Sequence, residues 1–196
     1  MRNDRNARLA AALLAVVAAL AIPPGLASAE EEPLPVGQKS AYDTWPSSLG
    51  YYNANQTGYG LSWQHWFGAN GVSLTGGGIY QPASAGDLLV SDIMDCSVQA
   101  QYLRMVHTGR FRDFLSFNMH LIGMAGYRGR IQQEYTGGAL YPVPGPYTYG
   151  VFVGVGLGLE YTVYEHFSWW YDFVYVADLA GATLKPQFGS GARFRY

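Results

Sequence analysis

Cysteine is all but absent from this 196-residue chain: Cys96 is the only one, which excludes an internal disulfide framework. Charge is scarce as well, at 13% Asp, Glu, Lys and Arg. Residues 1–29 hold three of the twelve basic residues and one of the fourteen acidic ones, leaving nine basic against thirteen acidic beyond them. A nucleic-acid partner would want a basic face, and this chain has no surplus to build one. His65, His107 and His120 stand far apart and the single cysteine offers no metal-ligand spacing, so no metal or other cofactor is expected. Past residue 29 no stretch is apolar enough to span a membrane as a helix, and none sustains a helical period.

What is present begins at the N-terminus. Arg2, Arg5 and Arg8 precede an uncharged run, Leu9 to Ile22, that is broken by Pro23, Pro24 and Gly25 and followed by Ala27-Ser28-Ala29. That order is a secretory signal peptide, and its fourteen-residue apolar run is short of the roughly 18–20 that a spanning helix needs. Cleavage after Ala29 is expected, which leaves 167 residues, enough for one domain. Residues 30–35 form a short acidic, Pro-containing segment, and 36–196 the domain itself.

The chain is rich in tyrosine (16), phenylalanine (9), tryptophan (5) and glycine (25), nearly all of them in that domain, and the domain alternates. At its C-terminus Phe188, Ser190, Ala192, Phe194 and Tyr196 share one face, and Gln187, Gly189, Gly191, Arg193 and Arg195 the other. Upstream, Trp169, Tyr171, Phe173 and Tyr175 oppose Ser168, Trp170, Asp172 and Val174 within 167–177. Over 150–163, Val151, Val153, Val155, Leu157, Leu159 and Tyr161 oppose Gly154, Gly156, Gly158 and Glu160. Glycines there fit a narrow lumen, where they make room for bulky neighbours such as Trp170. Further strands are expected at 114–125, 94–106, 71–80 and 58–67. Single-chain bacterial barrels use even strand numbers, so an eighth is placed within Val36 to Trp45. The fold class is all-β: an eight-stranded, up-and-down antiparallel transmembrane β-barrel. With no helix able to cross, a closed barrel is the remaining way to pair every backbone group in lipid.

The signal peptide, the alternation and the terminal aromatic together resemble the small eight-stranded bacterial outer-membrane barrels of the OmpA/OmpX/OmpW type. The resemblance implies an outer-membrane location, contact with outer-membrane lipids, and insertion by the assembly machinery, with Phe194 and Tyr196 as the recognition residues. No peptidoglycan-binding domain is expected after the barrel, and a monomer is expected. Turns near 68–71, 107–113 and 164–166 fall on the periplasmic side, and the connections 46–57, 81–93, 126–149 and 178–186 face outward. Aromatics at the strand ends make two girdles, with Phe67, Tyr161 and Trp169 in the lower and Tyr80, Tyr149 and Tyr175 in the upper. Arg104, outward-facing near a periplasmic end, is expected to snorkel.

The lumenal polar set comprises Gln64, Gln99, Gln101, Asn118, His120, Glu160, Asp172, Arg193 and Arg195, with Glu160 or Asp172 pairing to Arg193 or Arg195. Those charges could gate a small conduit for ions or hydrophobic solutes, or form an ion-paired core that fills the cylinder; the second is preferred because unpaired charge there is costly. The 126–149 segment, with Arg128, Arg130, Glu134, Tyr135 and Tyr141, is expected to be a surface loop, either one that binds an extracellular ligand or a long solvated connection free to vary. His166-Phe167-Ser168 with Asp178 resembles the His-Ser-acid set of the outer-membrane lipid A deacylases. It departs from that pattern at Trp169, where the family has Asn, and at Asp178, where it has Glu. The preferred reading is a non-catalytic envelope barrel.

Overall fold

The wall of the molecule is one antiparallel sheet that closes on itself. The computed structural model describes residues 41–81, 93–111, 114–134, 143–179, 181 and 183–196, so the proposed signal peptide, the 30–35 segment, Tyr135 and Tyr141 lie outside the described residues. After a one-turn helix α1 (Ala41–Thr44) come β1 (Ser47–Ala54), β2 (Gly58–Phe67), β3 (Asn70–Gln81), β4 (Ile93–Phe111), β5 (Leu115–Glu134), β6 (Val143–Val163), β7 (Phe167–Asp178) and β8 (Thr183–Arg195). Each strand pairs with its neighbour in sequence, and β8 returns to β1 from Ser48↔Arg195 to Ala54↔Gly189. Closure leaves no edge along the cylinder.

The period-two pattern sorts the side chains. On β7 the even residues Ser168 to Val176 are buried and the odd residues Phe167 to Tyr175 are exposed. The same division runs along β2 and β8. Outside stand Leu49, Leu61, Leu74, Val98, Leu157, Phe173 and Phe188, a belt of apolar side chains too extensive for a water-facing wall and suited to hydrocarbon. Rings gather at the end that holds the chain's C-terminus: Phe167 meets Trp169 and Phe194 at 5.7 and 6.2 Å, and Phe117 meets Tyr161 at 5.2 Å. At the opposite end Tyr149 stacks near Tyr127 and Tyr147, and midway along the wall Phe173 meets Phe188 edge-on. The turn between β6 and β7 puts Tyr164 and Glu165 at φ 49° and 64°, the left-handed pair whose twist suits a tight hairpin.

The first strand is not where the sequence placed it. Ala41–Thr44 is helical, and β1 is Ser47–Ala54, inside the stretch assigned to a loop. Pro46, Gly50, Asn53 and Asn55 read as turn formers, yet Leu49 and Tyr51 face out while Ser48, Tyr52 and Ala54 face in. The 107–113 turn is likewise mostly strand. β4 runs on to Phe111 after a bulge between Met105 and His107. The 126–149 loop is mostly strand too, because β5 continues to Glu134 and β6 begins at Val143.

Lumenal glycines are matched to large inward-facing side chains on the neighbouring strand. A Cβ on Gly158 would overlap the His120 ring, one on Gly189 the Tyr52 phenol, and one on Gly191 the Trp170 indole. Trp170 is therefore received by β8, not by the β6 glycines. Gly158→Val is expected to lower unfolding stability in micelles by about 1–3 kcal/mol through overpacking, and His120→Ala in the same chain to recover part of the loss. Gly76→Ala, whose Cβ would meet only Ser97 O at 3.8 Å, should be neutral. Urea unfolding followed by heat-modifiable gel mobility checks all three.

Candidate functional site

The chemistry of this chain is concentrated inside the cylinder. Near the C-terminal end Arg195 (β8) and Glu160 (β6) are fully buried and joined at 2.5 Å. Arg195 also donates through Nε to Ser168 Oγ at 3.0 Å, through Nη2 to Gln64 Oε1 at 3.3 Å and through Nη1 to the Trp45 carbonyl at 3.2 Å. Its guanidinium lies 4.2 Å from the Tyr42 ring centroid. Helix α1 thus sits in the barrel mouth: Ala41 and Tyr42 are buried, and the Tyr42 hydroxyl meets Thr162 Oγ1 at 3.2 Å.

The middle layer is built on Arg193. Its guanidinium lies 3.1 Å from the Trp170 ring centroid and donates to Ser62 Oγ and Ser73 Oγ, both at 3.2 Å. Tyr52 stacks on Trp170 with ring centroids 5.5 Å apart and planes 6° from parallel. Asp172 accepts from Gln101 Nε2 at 3.0 Å. Of the pairings expected from sequence, the structure makes Glu160–Arg195, whereas Arg193 is held by an indole and two hydroxyls.

Above this, Thr57 from the β1–β2 turn donates through its amide to Gln187 Oε1 at 3.1 Å and through Oγ1 to Gln99 Oε1 at 2.5 Å. At the rim Arg128 donates from Nη2 to Asp95 Oδ2 at 2.6 Å and from Nε to Oδ1 at 3.0 Å, and Nη1 reaches the Gln56 carbonyl at 3.2 Å. A fork of this kind is among the stronger polar contacts a protein makes. An apolar cluster of Leu103, Ile122, Met124, Val174 and Val176 occupies the remaining side of the lumen, so the filling is part polar and part hydrocarbon. His120 is buried and packs its ring edge-on to Trp66 at 5.6 Å. Both amide atoms of Asn118, His120 Nδ1 and Glu160 Oε2 have no protein partner, which leaves hydrogen-bonding capacity for water.

The residues assigned to a surface loop divide. Arg128 and Arg130 lie within β5, and Glu134 ends it. Arg128 faces inward to Asp95 as described, and Arg130 is exposed opposite Thr148. The deacylase-like set is not assembled. Ser168 is buried between Thr162 Oγ1 at 2.8 Å and Arg195. His166 Nδ1 instead meets the Arg195 carbonyl at 2.9 Å, and its ring stacks on Phe194. Asp178 ends β7, about 35 Å of strand from its start. Among the described residues there is no group of three or more His, Cys, Asp or Glu placed to hold a metal.

Sequence alternation could find which residues face inward. It could not find α1, Tyr42 or the Arg128–Asp95 fork, since those depend on which rims meet. Removing one partner of the buried pair strands the other charge, so Glu160→Ala is expected to destabilise the barrel by about 3–5 kcal/mol. Glu160→Leu combined with Arg195→Met should cost less than Glu160→Ala alone, a comparison read by urea unfolding of the refolded chain.

No protein-family model matches the chain, and no curated protein matches it. Among solved structures it is similar to Ail, the attachment invasion locus protein of Yersinia pestis, at 16% identity and TM-score 0.40, covering 76% of this chain and 96% of that one. It is also similar to the N-terminal β-barrel domain of Pseudomonas aeruginosa OprF, at 13% identity and TM-score 0.44, with 76% and 96% covered. A third is Neisserial surface protein A, at 14% identity and TM-score 0.40, with 76% and 94% covered. On its own strand pairing, the chain is a closed eight-stranded antiparallel β-barrel with an apolar wall and a side-chain-filled interior.

Proposed function

We propose that the chain is a non-catalytic outer-membrane barrel that presents a projecting sheet at the cell surface. The observation that carries this reading is the length of three strands. A tilted strand crosses a bilayer in about 9–11 residues, whereas β4, β5 and β6 have 19, 20 and 21. Beyond Tyr127↔Val151 the β5–β6 pair continues to Glu134↔Val143, a further seven residues of β5 or roughly 20 Å. The base of this tongue is braced by the Arg128–Asp95 fork. Tyr147, Thr148, Tyr149 and Arg130 are exposed on it, a mixture of flat aromatic area and adaptable polar groups suited to recognition. An extracellular ligand is the partner this surface would take.

The signal-peptide pattern read in residues 1–29 and the apolar belt support an outer-membrane location. Outward-facing Phe194 and exposed Tyr196 at the chain's end are suited to recognition by the assembly machinery. The short connections then lie in the periplasm and the tongue outside. A conduit is disfavoured by the side chains crossing the lumen, and catalysis by the inward burial of Ser168.

The test is thiol labelling on intact cells in a Cys96→Ser background. Arg130→Cys on the tongue is expected to react with a membrane-impermeant maleimide. Ala69→Cys, in the β2–β3 turn, should react only after the outer membrane is opened. The reverse pattern would overturn the orientation and with it surface presentation.

A further inference from the structure

The outer wall is not evenly packed. Between β3 and β6 a hollow of about 380 Å³ is lined by Leu74, Ala100, Tyr102, Gly123, Ala125 and Val153, a volume at the lower end of ligand-sized sites. Its floor is made of small side chains set side by side, since Ala100 pairs with Ala125 and Tyr102 with Gly123. Leu74 and Val153 stand beside them in register, opposite Ala100 and Ala125. The lining is hydrocarbon on the face that meets lipid.

The end of the hollow nearer the C-terminal rim is different. Tyr102, one of its lining residues, donates its hydroxyl to Asn70 Oδ1 at 2.6 Å, and Arg104 Nη1 donates to the same oxygen at 3.0 Å. Arg104 pairs across β3–β4 with Asn70, the first residue of β3, so its guanidinium stands at the membrane boundary, one outward position from Tyr102. Among the described residues its polar partner is the neutral Asn70, and no carboxylate pairs with it. A cation at the lip of an apolar slot complements one kind of molecule, an anionic head on an acyl chain.

We infer that this slot seats one anionic phospholipid of the leaflet at the C-terminal end, with an acyl chain along Ala100 and Gly123 and its phosphate at Arg104. The inference rests on the membrane-embedded, outer-membrane reading above. Under that reading the leaflet at this rim is the periplasmic one, so the occupant is a phospholipid and not lipid A. Tyr102 and Asn70 fix the Arg104 stem against the wall, which lowers the ordering cost of meeting the phosphate. Arg104 thereby acts as a recognition residue as well as a snorkelling one.

The experiment is native mass spectrometry of the refolded chain released from micelles carrying equimolar phosphatidylglycerol and phosphatidylcholine with identical chains. Each protein is first checked for folding by heat-modifiable mobility. The wild type is expected to retain one lipid, with phosphatidylglycerol favoured by roughly fivefold, as one basic residue at a membrane surface provides. Arg104→Gln should keep one lipid and bring that preference close to one. Ala100→Leu, which fills the slot from its exposed side, should cut retention of both lipids to background.

Equal retention by all three proteins would overturn the proposal. So would lipid A displacing phosphatidylglycerol, or a dimer that disappears in Ala100→Leu, which would make a second copy the occupant. A chain that stays monodisperse without detergent would overturn the membrane reading itself, whatever its headgroup preference.

Discussion

Everything in this barrel depends on closing β8 against β1 in a single register. A backbone that meets hydrocarbon must pair all its polar groups internally, and the closing pair, Ser48↔Arg195 to Ala54↔Gly189, completes that pairing. Strand period makes the register all-or-none. A slip of one residue would turn Arg193 and Arg195 into lipid and Phe194 into the lumen. The Arg195–Glu160 pair is therefore better understood as a register lock than as a source of stability, because a buried ion pair roughly breaks even against well-packed hydrocarbon. Its value is that no neighbouring register satisfies it: Glu160, Gln64, Ser168 and the Trp45 carbonyl converge on one guanidinium.

From that lock the interior follows. An eight-stranded cylinder is just wide enough for side chains to fill, and here β8 supplies two cations spaced by one turn of the pleat. One is neutralised by Glu160, and the other is spread over an indole and two hydroxyls. Large rings demand missing ones opposite, which is why glycines on β6 and β8 face His120, Tyr52 and Trp170. Helix α1 finishes the C-terminal mouth with Tyr42, and Thr57 with the Arg128–Asp95 fork braces the other. The wall and the filling are thus one construction, and the features left over from it are the β5–β6 tongue above and the shallow slot on the outer wall.

Much of this was legible in the sequence because one physical contrast, lipid against lumen, writes itself as strict alternation. β2, β7 and the inward positions of Glu160, Asp172, Arg193 and Arg195 could be read directly. β1 could not, since Tyr51 and Tyr52 are adjacent, Asn53 faces outward, and the flanking Pro46 and Asn55 imitate turns. The tongue was hidden for a related reason. Once β5 and β6 run past the barrel rim successive residues on both faces are exposed, as at Tyr147, Thr148 and Tyr149, the alternation lapses, and Gly, Pro and Arg look like loop. Which cation meets which partner was also unreadable, because contacts across the lumen are set by the shear of the closed sheet and not by spacing along the chain.

The central claim is that the lumen is filled and locked. It is tested most directly by solute efflux from vesicles holding the refolded chain from Glu30, with folding verified in the same vesicles. The account predicts efflux indistinguishable from protein-free vesicles at any solute size down to simple salts. Steady efflux well above that background from a folded barrel would contradict it, and would mean that the layers built on Arg193 and Arg195 open as a passage.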